Sequence, residues 1–165
     1  MIGGYDLFGQ ALDEQVLAAT WTPQRGVEVE SSDLPDAWLA ASKRIGRDLH
    51  VCQYGNTIEQ IDWTAEYQSS SGYVPLFSRV TATGRAPIGG IGGAMARIDD
   101  DEETVAALNA ELVANEVADA GVAWPYREGD GFMQPVLVNG VASWTNMGQH
   151  HVIGSLSDIG NQRDS

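Results

Sequence analysis

His150 and His151 form the most conspicuous pair of side chains with chemical potential, and His50 is the third histidine of the chain. Neighbouring residues on a strand point to opposite faces. In the β-prone stretch from His150 to Leu156, the pair is therefore not expected to chelate one metal ion, and the sequence assigns no metal site. Cys52 is the single cysteine and stands two residues after His50. On a strand that spacing puts a nucleophile and a base on one side. An isolated thiol is more commonly a small buried apolar side chain. One cysteine also excludes an intrachain disulfide and a thiolate-only metal site.

The run Asp99-Asp100-Asp101-Glu102-Glu103 offers oxygen ligands to a hard cation. It lacks the spaced carboxylates, glycine and distal glutamate of a calcium loop. It stands just before an apolar-periodic stretch, and carboxylates there complement the unpaired N–H groups of a helix start. Residues 84–93 contain five glycines but neither the Gly-x-Gly-x-x-Gly phase nor a Gly-Lys-Ser/Thr end. They read as a connector rather than a phosphate cradle. Pro87, Ile88 and Ile91 within it are the candidate interface residues, since loose isoleucines would be left in water until a partner or a second copy covered them. No Gly-x-Ser-x-Gly, His-Glu-x-x-His or Ser-x-x-Lys signature occurs. No catalytic residue and no cofactor are assigned, and a non-enzyme is favoured over an enzyme.

The elements that would position these residues are those of an α+β chain. Gly26–Glu30 alternates apolar and acidic residues as a half-exposed strand does. Upstream, Asp6–Ala19 has helical spacing, although Val16–Trp21 equally suits a strand. Ser31-Ser32-Asp33 supplies caps for a helix at 34–46, with Pro35 in its first turn and Gly46 as its stop. Leu49–Tyr54, the dipeptide Gly55-Asn56 and Thr57–Tyr67 read as a two-residue hairpin. Tyr73–Thr83 is a third strand, with Pro75 suggesting an edge or an irregular entry, and Ala94–Ile98 is a short one. The second helix is predicted at 101–120, where Val105, Leu108, Leu112, Val113 and Val117 make an apolar stripe and Gly121 follows. Asn139-Gly140 marks a further hairpin between Phe132–Val138 and Val141–Thr145.

The expectation is thus two helices packed on mainly antiparallel β meanders, in one α+β domain over 1–156 with a polar tail at 157–165. The element order repeats at a spacing near 70 residues, compatible with a βαβββ-type repeat. That layout resembles the vicinal-oxygen-chelate fold in element order alone, and no histidine lies in a first strand to match the metal ligand expected of that family.

The 165 residues carry 23 acidic and 9 basic side chains, a net charge of −14, and are 43% apolar. The apolar share suffices for a core. Lys43 is the only lysine, the other bases being arginine, as GC-rich codons or adaptation to salt would give. Phosphate recognition rests on Lys and Arg, so direct binding to duplex nucleic acid is not expected, nor is attachment to an anionic membrane. No secretory leader and no apolar run of the ~18–20 residues that span a bilayer are visible, which suggests a cytoplasmic or virion location. The function expected is an interaction or assembly subunit with protein partners or self-association, a component of a viral or phage particle being one setting. Two alternatives stand beside it. One is a small-molecule-binding protein or enzyme with a site between two βαβββ-like halves. The other is an acidic inhibitor that mimics nucleic acid in a basic groove.

Overall fold

The computed structural model describes residues 14–89, 93–129 and 131–158. It is an α+β fold with two main helices on antiparallel sheet. Strands β1 (Glu14–Thr22), β2 (Gly26–Ser32), β3 (Ile58–Tyr67), β4 (Tyr73–Ala82), β5 (Ile88–Gly89) and β6 (Ala94–Arg97) build one antiparallel sheet in the order β2-β1-β3-β4-β5, with β6 also paired to β4. Helices α1 (Asp36–Asp48) and α2 (Glu102–Asp119) pack on each other and on its inner face. The short hairpin of β7 (Tyr126–Arg127) and β8 (Gly131–Phe132) follows. A second sheet, β11-β10-β9, is made from β9 (Gln134–Val138), β10 (Val141–Asn146) and β11 (Gln149–Val152).

The period-two readings of β3 and β4 hold, whereas β2 is a strand on which Val29 is as exposed as Glu28 and Glu30 beside it, so its alternation does not sort buried from solvent-facing residues. Ile61, Trp63 and Ala65 on β3 and Val74, Leu76, Val80 and Ala82 on β4 point into the core, while Thr64 faces solvent and Asp62 and Glu66 are half-exposed. α2 is buried over more of its circumference than one apolar stripe would be, since it touches β4 and β6 on one side and β9 and β10 on the other. Small Ala106, Ala110 and Ala114 allow those close approaches. Asp101 caps α2, its carboxylate accepting from the Thr104 N–H at 2.8 Å. The acidic run is therefore helix-start chemistry, and Asp100 likewise accepts from the Arg97 N–H.

Several expectations are corrected. Residues 14–19 are strand, so the helical alternative for Asp6–Ala19 fails over its described part, and 6–13 lie outside the described residues. Pro35 is the N-cap of α1 rather than a first-turn residue, and the helix runs through Gly46 to Asp48. Gly46 serves close packing: a Cβ there would stand 2.5 Å from Val27 Cγ2 and 3.2 Å from Trp21 Cδ1. Leu49–Tyr54 is not a strand and Gly55-Asn56 is not a hairpin turn, because β3 finds its partners in β1 and β4. The segment is a loop held by side chains. Gln53 donates to the Leu49 C=O and accepts from the Ile58 N–H, and Asn56 accepts from the Thr57 N–H. β4 is interior, with Pro75 opposite Met95 of β6, so Pro75 does not mark a free edge. The repeat in element order is not repeated in pairing: β1–β6 share one sheet, and β9–β11 form a smaller one. Residues 159–165 of the tail lie outside the described residues.

The Asn139-Gly140 hairpin is present. Val138 pairs with Val141, and both turn residues have left-handed φ, 50° and 81°. That is what a two-residue primed turn requires. Met147-Gly148 repeats the device between β10 and β11, with φ of 53° and 82°, and methionine gave no turn signal in the sequence.

Candidate functional site

The residues with chemical potential are not brought together. His50 sets its ring 5.3 Å from that of Trp21. Cys52 sits in the loop after α1 at φ 67°, burial pushes its thiol pKa up, and its charged neighbours are Arg127 and Asp48. A thiol held protonated in this way is a poor nucleophile. His150 pairs with Thr145 and His151 with Trp144, so the two rings take opposite faces of the small sheet. Among the described residues, no three His, Cys, Asp or Glu side chains converge as a metal site would need.

The buried polar groups are instead joints between elements. All five tryptophans are buried and each indole N–H has an acceptor. Trp21 donates to the Gly46 C=O, Trp38 to the Ile98 C=O, Trp63 to Asn109 Oδ1, and Trp124 to the Asp48 and Val51 carbonyls. Trp144 donates to Asp48 Oδ2 at 2.7 Å, and its ring meets that of Trp124 edge-on at 5.1 Å. Asp48, wholly buried at the end of α1, also accepts from the N–H groups of Gly154 and Leu156. Burial pushes its pKa up against the opposing pull of those three donors. Arg44 is the second joint. Its guanidinium donates to Glu102 at 3.0 Å, to Glu103 at 2.8 Å and to the Ile153 C=O at 2.9 Å. Glu103 in turn accepts from the Ala142 N–H, and hydrogen bonding to Arg44 holds its pKa below the ordinary value. These groups are satisfied inside the protein and clamp the small sheet to the two helices. Their long-range pairing left no local signal in the sequence.

Three surface features of the described residues bear on function. The first is the outer face of the small sheet. Val136, Val152 and Ser143 lie side by side across β9, β11 and β10, with Val138 opposite Val141 beside them. Ala142 and Trp144 point the other way, into the protein. Val136 and Val141 are 39% exposed and Val152 48%, while Ser143 between Val136 and Val152 is covered, and Leu137, opposite Ala142 on the other face, is also exposed. Thr145, Gln134 and His150 complete the face, which holds no carboxylate. The second feature is an open cleft of about 400 Å³ where the exposed Tyr54 ring lies 4.7 Å from that of Tyr126, with Gln53 and Glu128 alongside. The third is a cleft of about 310 Å³ between α2 and β6 that contains Glu116.

Of the interface candidates, Pro87 and Ile88 are exposed and Ile91 lies outside the described residues. Ile88 and Gly89 pair with Val80 and Arg79 of β4, so the connector is not irregular throughout. Alternation could have nominated the outer valines, but only the packing of Trp144 and Ala142 decides which face of that sheet is covered.

No family model matches the chain, and no curated protein and no solved structure matches it.

Proposed function

We propose that this chain is a non-enzymatic assembly subunit, and that a second copy of itself covers the outer face of the β9–β10–β11 sheet. The observation that carries the reading is the row of exposed valines at 136, 141 and 152 on a face without carboxylates, in a chain of net charge −14. Two copies of so acidic a chain repel each other, and the repulsion is least where no carboxylates are apposed. Flat β-branched faces pack well on one another at about 10 Å. A three-stranded face is smaller than the roughly 800 Å² per partner of a standard interface, so the association expected is weak and concentration-dependent.

A face-to-face contact of this kind closes a dimer. Growth into a larger particle, of the viral or phage kind or any other, needs a second contact. Pro87, Ile88 and Ile91 are the residues the sequence nominates for it. Direct binding to duplex nucleic acid is no part of the proposal, because nine basic side chains cannot offset the acidic field.

Sedimentation over a concentration series tests the reading. The wild-type chain is expected to associate, and V136D combined with V152D to stay monomeric with unchanged far-UV circular dichroism. I88D is expected to leave the dimer intact and to affect only larger species. A wild-type chain that is monomeric at every soluble concentration overturns the proposal, as does a valine double variant that associates like wild type.

A further inference from the structure

Glu116 is a carboxyl group to which the described residues supply no partner. The residue is 9% exposed, in the last turns of α2. Among the described residues no N–H or O–H donates to its side chain and no cation stands beside it. The charge acting on it is that of Asp119, of the same sign. A Cβ on Gly89 would stand 2.8 Å from Glu116 Oε2 and 2.5 Å from the Ser78 carbonyl oxygen, so only glycine fits against the carboxyl there. Burial raises the pKa of Glu116, as expected for a carboxyl without donors or a counter-ion. Buried Asp48 and half-buried Glu103, by contrast, each have donors.

The carboxyl lines the 310 Å³ cleft between α2 and β6. Leu108, Leu112 and Ala94 form aliphatic walls, and Glu111 and Asn115 stand at the exposed mouth. None of the described lining residues is basic. Two carboxyls, with no third acidic side chain, histidine or cysteine converging on them, fall short of a metal site. An ammonium group on a methylene stem fits the whole set. Its stem would lie along the leucines, its nitrogen would reach the buried carboxyl, and a second positive charge at the mouth would meet Glu111. Pairing with hydrogen bonds is what makes a buried charge tolerable.

We infer that the cleft between α2 and β6 is a binding site for a primary alkylammonium group, with Glu116 as the buried counter-ion and Leu108 and Leu112 as the walls. The group is that of a small aliphatic amine or of a lysine side chain, which share this chemistry. The inference is independent of the assembly face.

The test is titration of ¹⁵N-labelled full-length chain with n-butylammonium chloride, followed by amide shifts, with sodium chloride and 1-butanol as controls. Saturable shifts at Ala94, Leu108 and Leu112 are expected with the amine alone, at millimolar affinity. E116Q, which keeps shape and removes charge, is expected to weaken binding at least tenfold while leaving the melting temperature unchanged or higher. A94L, which fills the cleft, is expected to abolish the shifts with Glu116 intact. Titration with 1,4-diaminobutane and with a lysine-containing tripeptide then separates the sources: tighter binding of the diamine points to a free amine, tighter binding of the peptide to a partner's lysine. Absence of saturable shifts, equal response to 1-butanol, or unchanged binding in a folded E116Q overturns the inference.

Discussion

Removing the Asp48 carboxylate should be among the most damaging single changes in the protein. The carboxylate accepts from Trp144 Nε1 at 2.7 Å, from the Gly154 N–H at 2.6 Å and from the Leu156 N–H at 3.0 Å. Asp48→Ala leaves two buried donors and the partly buried Gly154 N–H without an acceptor, and each orphaned buried donor costs about 1–3 kcal/mol. Part of that loss is offset, because the variant no longer buries a charge at a helix C-terminus, where the dipole disfavours an anion. The net expectation is a destabilisation of about 3–5 kcal/mol, the usual range for breaking a buried charged joint. Asp48→Asn separates the contributions. Its amide oxygen can serve Trp144 and Gly154, as Oδ2 does, while its NH₂ group meets the Leu156 N–H. One orphaned donor predicts a loss of about 1–3 kcal/mol. Urea unfolding followed by tryptophan fluorescence measures both, against a total stability of about 5–15 kcal/mol for a chain of this kind. The order wild type, then Asn, then Ala is the signature. An alanine variant within about 0.5 kcal/mol of wild type, the range of an ordinary surface substitution, would refute the view that Asp48 fastens the small sheet to α1. An asparagine variant as damaged as the alanine variant would show that charge, not acceptor count, matters.

The acid response should follow Glu103. Its pKa is lowered in the fold by Arg44, so its contribution is present above the unfolded value, near 4.5, and is lost as pH falls through the folded one. Asp48 has a raised pKa and acts in the opposite sense, its contribution being complete below its unfolded value and lost as pH rises through the folded one. Thermal unfolding of Glu103→Gln between pH 3 and 7 should therefore be less stable than wild type at pH 7 and approach it on acidification, and an unchanged gap at pH 3 would contradict the pairing. Two glycines should respond for different reasons. Gly140→Ala has open space around it but φ at 81°, so it should cost about 1–2 kcal/mol by backbone strain alone. Gly46→Ala gains helix propensity of about 1 kcal/mol yet meets Val27 and Trp21, and overpacking of about 1–3 kcal/mol should leave it neutral to destabilised in a thermal melt.

Local features of the sequence determined much of the architecture. The alternation on β3 and β4, the capping carboxylates ahead of α2 and the Asn139-Gly140 turn all act within a few residues, and all appear in the fold. Their physics is short-ranged: alternation sets which face is buried, and a cap or a left-handed φ is a property of its own segment. What failed was pairing over distance. Gly55-Asn56 has the composition of a hairpin turn, but β3 is satisfied by β1, some forty residues upstream, and by β4. Gly46 reads as a stop because nothing in its neighbourhood announces that Trp21 and Val27 press against it. Among the described residues, the chemically suggestive side chains at 50, 52, 150 and 151 are not gathered into one site. The residues that organise the interior, Asp48 and Arg44, reach partners about a hundred positions away at Trp144 and Ile153. Which face of the small sheet carries the exposed valines, and that no described residue donates to buried Glu116, depend on the mutual placement of α2 and two sheets. Only the tertiary structure decides them, because burial is a property of what packs across a surface and not of the segment that carries it.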